Sequence, residues 1–294
     1  MPRGWAWLLL FEAGCRLTNM VPWAIKRPVV NLIAHIVFRL SAKMRASTSS
    51  NMAVMLGAAA GDDTVRRLAR RSIENFLLQA LSMAEAYLAP PVELHRQLHF
   101  YSPTARQRAH HIAYNGPVIV ATCHFGTWDA AASWGASLSE IHVVQESFAN
   151  PGMTEVFRRL RVHLGMKSLD MRRDIRQMFS VLRKGGRVAI LVDRPLEQGG
   201  VPVTWFGRIT RLPAGVAKLA IRTNAEIVPL VVYRGGSGQA ILRVAESIIP
   251  DRSAPREAEV KRLLQATVAS LERLIRTAPD QWYQFRTFWP ASEC

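Results

Sequence analysis

Short apolar runs rich in β-branched residues alternate with helical stretches from residue 117 onward. The apolar runs lie at residues 117–122, 141–145, 187–192 and 226–233. Between these runs, helical periodicity is found near residues 127–138, 154–164, 172–184 and 213–223. Strands that are apolar along nearly their whole length are typical of a parallel sheet covered on both faces. The sequence therefore predicts an α/β fold with a mostly parallel central sheet flanked by helices.

Capping and turn residues predict the elements around this sheet. Asp62 is suited to cap a helix that continues to about Leu88. The glycine-rich turn at 235–238 joins the last predicted strand to another at 241–246, which predicts one antiparallel edge. A final helix is predicted at about 255–277. No stretch between these elements is long enough to act as a linker between two separate domains.

The charge balance restricts the class of partner. The chain has 38 Lys and Arg against 22 Asp and Glu, which gives a net charge of +16. Because 49% of its residues are hydrophobic and only 20% are charged, a disordered chain is excluded. Such a basic protein is expected to meet a polyanion, and nucleic acid, an anionic membrane and phosphorylated molecules all qualify.

The N-terminal region has the composition of a membrane-surface segment. Its apolar runs at residues 5–11 and 28–38 are shorter than the roughly 20 residues that span a bilayer. Glu12 is the only acid among the first fifty residues. Tryptophans and cations surround the runs, as in interfacial helices: Arg3, Trp5, Trp7, Arg16, Trp23, Lys26, Arg27, Arg39, Lys43 and Arg45. The alternative is a buried helical hairpin of a soluble protein.

These observations divide the chain into two predicted regions. Residues 1–45 are predicted to form N-terminal interfacial, membrane-associating helices, and residues 46–294 to form the main domain. The three cysteines, Cys15, Cys123 and Cys294, are far apart and in no CxxC arrangement. They indicate neither a disulfide framework nor a zinc site, and they favour a reducing, cytosol-facing location.

The end of the first predicted strand has residues suited to acid–base chemistry. His124 and Asp129 are five residues apart, so a continuous helix would turn them about 140° away from each other. Gly126 supplies the backbone freedom to bend the chain and bring them together. An imidazole oriented by a carboxylate can take a proton from an attacking hydroxyl. The helix-start amides near Gly126 and Thr127 are candidates to stabilise the resulting oxyanion.

Six motifs extend this region into a pattern over most of the chain. In order they are residues 124–129 (HFGTWD), 193–200 (DRPLEQGG), 203–207 (VTWFG), 212–222 (LPAGVAKLAIR), 227–230 (IVPL) and 279–282 (PDQW). Their order and spacing resemble the lysophospholipid acyltransferase-like family. Within that family, the chain resembles the group that contains the lipid A biosynthesis late acyltransferases and the phosphatidylinositol mannoside acyltransferases. The resemblance runs from about Arg45 to Trp289.

This resemblance implies a glycerolphosphate-acyltransferase-like fold and an O-acyltransferase. The HxxxxD motif implies His124 as general base with Asp129, no metal and no cofactor. The donor would be an acyl carrier protein or coenzyme A thioester. The acceptor would be a hydroxyl of a glycolipid or lysolipid, met at the cytoplasmic face of the bacterial inner membrane by a peripheral or N-terminally anchored protein. The acceptor stays open between lipid A-type, phosphatidylinositol mannoside-type and lysophospholipid substrates, because Asp129 stands where late lipid A acyltransferases usually have Glu.

A second set of residues is a candidate for binding a substrate phosphate. It comprises Phe206, Gly207, Arg208 and Arg211, which Lys218 follows, with Arg194 in the preceding motif. Residue by residue, a buried Phe206 and solvated cations explain this set equally well. The chain has no GxxxxGK loop, helix-turn-helix signature or RNP-like strand, so nucleic acid is not an expected partner. The competing hypothesis is a non-catalytic basic protein on the same scaffold that binds membranes or nucleic acid.

Overall fold

Most of the chain folds around one central sheet. The computed structural model describes the backbone of residues 4–289 and the side chains from residue 9 onward. Within that range seven strands form a sheet in the order β1-β9-β8-β2-β5-β3-β4, and two more form a separate hairpin, β6-β7. The strands are β1 (Leu98–Phe100), β2 (Val118–Thr122), β3 (Ile141–Gln145), β4 (Lys167–Asp170), β5 (Arg187–Leu191), β6 (Val201–Trp205), β7 (Arg208–Leu212), β8 (Glu226–Arg234) and β9 (Ala240–Val244).

Helices cover this sheet. They are α1 (Gly4–Met20), α2 (Trp23–Leu40), α3 (Ala42–Leu56), α4 (Asp63–Leu88), α5 (Pro91–Arg96), α6 (Pro103–Tyr114), α7 (Trp128–Ala136), α8 (Pro151–His163), α9 (Ile175–Arg183), α10 (Gly215–Thr223) and α11 (Arg256–Ile275), with a 3-10 helix at Pro279–Gln281. The predicted cap of α4 is confirmed, because the Asp62 side chain accepts hydrogen bonds from the amides of Thr64 and Val65. The predicted mixed α/β class is likewise confirmed.

Strand β2 lies in the middle of the sheet and is buried along its whole length. It pairs in parallel with β5 on one side and β8 on the other. Because side chains alternate between the two faces of a strand, Val118 and Val120 contribute to one apolar cluster and Ile119 and Ala121 to another. This two-sided burial is what the uninterrupted apolar run predicted.

The β8–β9 pair is antiparallel, as predicted from the glycine-rich turn. Strand β9 is not the edge, however, because β1 adds to it in parallel. The β6–β7 hairpin was not predicted as an element. It is joined to α11 by the Gln265 side chain, which bonds the backbone of Thr204, and by the Glu272 carboxylate, which accepts from the Phe206 amide.

The N-terminal helices α1 and α2 contact α4. Tyr87 of α4 donates to Glu12 of α1, and Glu85 of α4 forms an ion pair with Lys26 of α2. The predicted boundary at residue 45 falls inside α3. Of the predicted interfacial residues, Arg3 lies outside the described residues, as do the side chains of Trp5 and Trp7.

One side of α2 leaves large apolar side chains exposed. Their spacing of three or four residues places them on a common helical face: Ile25, Val29, Leu32, Ile33, Ile36 and Leu40. Leu40 is 81% exposed and Leu32 is 58% exposed. Within the described residues, no helix combines the length and the apolar character that crossing a bilayer would need.

Candidate functional site

The site forms where β2 ends. The strand stops at Thr122, His124 follows in the loop, and α7 begins four residues later at Trp128. Gly126 between them has a φ of +54°, and a Cβ there would lie 1.9 Å from the carbonyl oxygen of Val232. Glycine is therefore required both by the backbone conformation and by the close approach of β8. The bend predicted at this residue is present.

The His124 side chain is held by Asp193. This carboxylate follows β5, the parallel neighbour of β2, so the two strand ends bring the residues to the same edge of the sheet. Asp193 Oδ1 lies 2.8 Å from Nδ1 of His124, and Oδ2 accepts from the His124 backbone amide at 2.8 Å. With Nδ1 bonded to the carboxylate, the imidazole tautomer that fits leaves Nε2 as a proton acceptor.

Asp193 is buried, and two further side chains support it. Trp282 Nε1 donates to Oδ2 at 2.9 Å, and Gln284 Nε2 donates to the same oxygen at 2.8 Å. Burial raises the pKa of a carboxyl group. At Asp193 the charge of His124 and the hydrogen bonds from His124 and Trp282 outweigh burial and lower the pKa below its usual value. The carboxylate is therefore ionised at neutral pH.

Asp129 occupies a different position from the one predicted. The sequence pairs it with His124 as the orienting acid, whereas the structure bonds Nδ1 to Asp193. Asp129 lies in the first turn of α7, where its Oδ1 is 3.9 Å from Nε of Arg161 and its Oδ2 has no partner among the described residues. Burial raises its pKa, although the charges of Arg161 and His124 act in the opposite direction. The partner of Nδ1 comes instead from the end of a neighbouring strand, which supplies a carboxylate that the local sequence does not reveal.

The two amides predicted to stabilise an oxyanion are already bonded. The amide of Gly126 donates to the carbonyl of Gln281 at 2.9 Å, and that of Thr127 donates to the carbonyl of Val232 at 2.9 Å. These bonds fasten the loop to β8 and to the C-terminal segment. Neither amide is left as a free donor.

A cavity of about 630 Å³ opens beside His124. Its walls are mostly apolar and come from β3, β5, α9, α10 and α11, with Met178, Ile190, Val216, Leu219 and Leu264 among the lining side chains. Nε2 of His124 has no hydrogen-bond partner among the described residues, and the ring lines the cavity. Cationic side chains also line it: Arg161, Arg194, Lys218, Arg222 and Arg256.

The predicted phosphate-binding residues separate in the structure. Arg194 lines the His124 cavity and lies 3.6 Å from Glu146. Phe206 is buried and stacks on Trp282 with ring centroids 5.7 Å apart. Gly207 lies in the turn of the β6–β7 hairpin. Arg208 begins β7, and Arg211 follows in the same strand. Unlike Arg194, the residues Phe206, Gly207, Arg208 and Arg211 are not among the described residues that line the cavity. The hairpin turns them toward α11 and solvent.

Two cations beside the cavity were recognisable only in part. Lys218 was noted next to the predicted phosphate-binding residues, but Arg222 was not singled out. They are four residues apart on α10 and so share one helical face. That spacing is the signal that could have identified them.

A model of the family described as bacterial lipid A biosynthesis acyltransferase matches residues 1–290. The chain belongs to this family. Membership confirms the family resemblance found in the motifs. It also places His124 and Asp193, which meet at the end of β2, within a region that the family model covers.

Individual relatives are similar over part of their length. A phosphatidylinositol mannoside acyltransferase from Mycolicibacterium smegmatis is 30% identical over 178 residues, which are 59% of this chain and 57% of the relative. One from Mycobacterium tuberculosis is 28% identical over 181 residues, which are 59% of this chain and 54% of the relative. The chain thus spans a little over half the length of these family members.

A solved structure is also similar. It is the 1-acyl-sn-glycerophosphate acyltransferase PlsC from Thermotoga maritima, which has 14% identity to this chain and a TM-score of 0.38. The match covers 85% of this chain and 97% of the other. A TM-score of this size is too low to establish a shared fold.

Proposed function

We propose that the protein is a membrane-surface O-acyltransferase, which moves a fatty acyl group from an acyl carrier protein or coenzyme A thioester to a hydroxyl of a glycolipid or lysolipid. The single observation that carries this proposal is the position of His124. Its Nδ1 is bonded to a buried carboxylate and its Nε2 has no partner beside a largely apolar cavity. Membership of the acyltransferase family supports the same reaction class.

The geometry suits direct transfer without a covalent enzyme intermediate. The acceptor hydroxyl attacks the thioester carbonyl carbon while Nε2 of His124 takes its proton. The tetrahedral intermediate then collapses, the carbon–sulfur bond breaks, and the imidazolium returns the proton to the leaving thiolate. Asp193 stabilises the imidazolium through Nδ1 during both steps. Asp129, buried behind the site, acts as a positioning residue for Arg161.

The cavity beside His124 suits the acyl donor. Its apolar walls would hold the aliphatic chain, with a free energy of about 0.8 kcal/mol per buried methylene. Lys218 and Arg222, on the exposed face of α10, would hold a phosphate of the thiol-bearing arm. Both candidate donors carry their thiol on a phosphorylated arm, so this arrangement serves either of them.

The exposed apolar face of α2 supports peripheral binding to a bilayer. Side chains such as Leu32 and Leu40 would enter the interfacial region, while Arg27 and Arg39 would meet anionic headgroups. With a cytosol-facing donor, the proposed location is the cytoplasmic face of the bacterial inner membrane. A buried hairpin, the alternative considered from the sequence, would not leave this face exposed.

The proposed acceptor is a glycolipid of the lipid A type. A phosphatidylinositol mannoside is the second candidate, because the two relatives described above are named for that acceptor. A lysophospholipid is the third. Their masses differ, so analysis of the acylated product separates the three.

Mass spectrometry of membrane lipids tests the proposal. Cells that produce the wild-type protein are expected to contain a lipid one acyl group heavier than its precursor, and cells that produce His124→Ala are expected to lack it. His163→Ala, an exposed histidine at the end of α8, is the matched control. Unchanged product in the His124→Ala cells would contradict the mechanism. Salt-dependent DNA binding with sequence preference would instead favour the non-catalytic alternative.

A further inference from the structure

A second cavity of about 850 Å³ lies on the β8 side of the site. It is separate from the cavity that His124 lines and is enclosed by the α1–α2 junction, α4, α5 and the β8–β9 turn. Its lining is more polar. The residues that matter for its chemistry are Trp23, Arg27, Ser82, Glu85, Arg96 and Arg234.

Arg234 supplies a partly buried positive charge. One of its terminal nitrogens donates to the Ser82 hydroxyl at 2.7 Å, and the guanidinium lies 5.9 Å from the ring centroid of Trp23. Among the described residues, no carboxylate lies within ion-pair distance of it. Burial lowers its pKa, but a guanidinium stays protonated in proteins. The cavity therefore contains a cation with donors to spare.

The nearest acid is already occupied. Glu85 forms an ion pair with Lys26 and accepts a hydrogen bond from Trp23 Nε1 at 3.2 Å. Arg27, at the exposed rim of the cavity, adds a second positive charge close enough to lower the pKa of Arg234 further. The lining contains three arginines, Arg27, Arg96 and Arg234, against two glutamates, Glu85 and Glu93. The net charge of the cavity is therefore positive, and an anion would be attracted.

The surroundings of the cavity indicate what kind of anion fits. Exposed apolar side chains lie next along the chain to residues that line the cavity, where α1 meets α2. Met20, which is 80% exposed, follows Asn19, and Ile25, which is 53% exposed, lies between Trp23 and Arg27. A soluble anion would not use these apolar side chains. A lipid would, because its phosphate enters the basic cavity while its chains remain in the bilayer beside Met20 and Ile25.

We propose that this cavity binds the phosphate group of an anionic membrane lipid through Arg234 and Arg27. The inference rests on the membrane-surface part of the proposed function. It concerns a lipid site distinct from the donor cavity, and it gives the protein a fixed orientation on the bilayer.

Calorimetric titration with short-chain lipids below their micelle concentration tests the proposal without any acyl donor. Dihexanoyl phosphatidylglycerol is expected to bind the full chain with one-to-one stoichiometry. Dihexanoyl phosphatidylcholine and glycerol 3-phosphate are expected to bind at least about tenfold more weakly, since one has no net charge and the other has no chains. Equal binding of glycerol 3-phosphate would overturn the lipid assignment in favour of a soluble phosphate ester.

Substitutions identify the site. Arg27→Gln changes an exposed side chain, and we expect it to weaken phosphatidylglycerol binding about tenfold. Arg66→Gln removes the same charge from an exposed position at the start of α4, outside the lining of the cavity, and is expected to have little effect. Equal losses in the two variants would show diffuse attraction and overturn the site. Arg234→Lys, which keeps the charge but loses the planar fork, tests the buried position with less risk to folding.

His124→Ala separates this proposal from the proposed function. The variant is expected to bind phosphatidylglycerol like the wild type while losing acyl transfer. Loss of lipid binding in Arg27→Gln with persistent acyl transfer to a soluble acceptor would support the lipid site. Wild-type lipid binding in both Arg27→Gln and Arg234→Lys would overturn it, whatever the catalytic result.

Discussion

The Asp193 carboxylate accepts hydrogen bonds from both the imidazole and the backbone amide of His124, each at 2.8 Å. One buried carboxylate thus fixes both the imidazole ring and the loop that carries it. Because Trp282 and Gln284 donate to the same carboxylate, its position does not depend on His124 alone. The imidazole is therefore presented to the cavity in a single orientation.

Removing the Asp193 charge should reduce turnover. We expect Asp193→Asn to lower kcat by about 10²- to 10⁴-fold, because the amide cannot stabilise the imidazolium. KM should change little, since Asp193 does not line the cavity that would hold the donor. Steady-state kinetics with an acyl-CoA donor measure both. A variant with wild-type kcat would show that another group orients His124.

The same substitution should change how stability depends on pH. The pKa of Asp193 is lowered in the folded state, so its contribution is complete above the unfolded pKa of about 3.9 and is lost as the pH falls through the folded value. We expect Asp193→Asn to cost about 2–4 kcal/mol at pH 7. Urea unfolding should show this difference shrinking below about pH 4. A difference that stays constant with pH would show that the pKa of Asp193 is not lowered in the folded state.

Asp129 should show the opposite dependence. Its folded-state pKa is raised, chiefly by burial, so folding favours its protonated form. Wild-type stability should therefore fall as the pH rises from the unfolded pKa of about 3.9 to the folded value. Asp129→Asn has no such loss, so its stability relative to wild type should increase over this interval and then level off. Thermal unfolding between pH 3 and pH 8 follows the trend, and a relative decrease would contradict it.

Gly126 is expected to tolerate no side chain. In Gly126→Ala the Cβ would overlap the Val232 carbonyl, and the positive φ would strain the backbone. Together we expect a loss of about 3–5 kcal/mol of stability. Gly57→Ala is the matched control, because Gly57 has a φ of +65° but nothing within 4 Å of the added Cβ. It should cost about 1 kcal/mol. Similar losses at the two sites would mean that β8 yields to the overlap.

The cations on α10 are expected to bind the donor rather than to assist the chemistry. Replacing Lys218 and Arg222 with Gln should raise KM for an acyl-CoA donor about tenfold and leave kcat nearly unchanged. The effect should diminish at high salt, because both side chains are exposed. Arg208→Gln on the β6–β7 hairpin is the control and should keep the wild-type KM. A fall in kcat with constant KM would argue against donor binding.

Much of the sheet could be predicted because its central strands are apolar on both faces. The sequences of β2, β3, β5 and β8 each contain a short apolar run rich in β-branched residues, which is typical of a buried strand rather than of a helix. β1 and β4 could not be found in this way. They are only three and four residues long, and β4 contains the polar residues Lys167, Ser168 and Asp170. Their strand conformation depends on pairing with β9 and β3.

The site was predictable only as far as its residues are local. His124 and the bend at Gly126 lie within one strand-to-helix connection. Asp193 lies 69 residues after His124 and meets it because β5 is the sheet neighbour of β2. Strand order depends on long-range pairing that no local pattern encodes. Asp129 was the natural choice from the sequence because it is the nearest carboxylate along the chain.

The hydrogen bonds from Trp282 and Gln284 to Asp193 also bear on the order in which the site can form during synthesis. Both residues are synthesised after every strand of the sheet, so the α/β core can assemble while Asp193 still lacks two of its hydrogen bonds. A nascent chain at that stage would have its sheet but an imperfectly compensated buried charge. Under the proposed mechanism, His124 would therefore reach its working orientation only after the segment that carries Trp282 and Gln284 has docked.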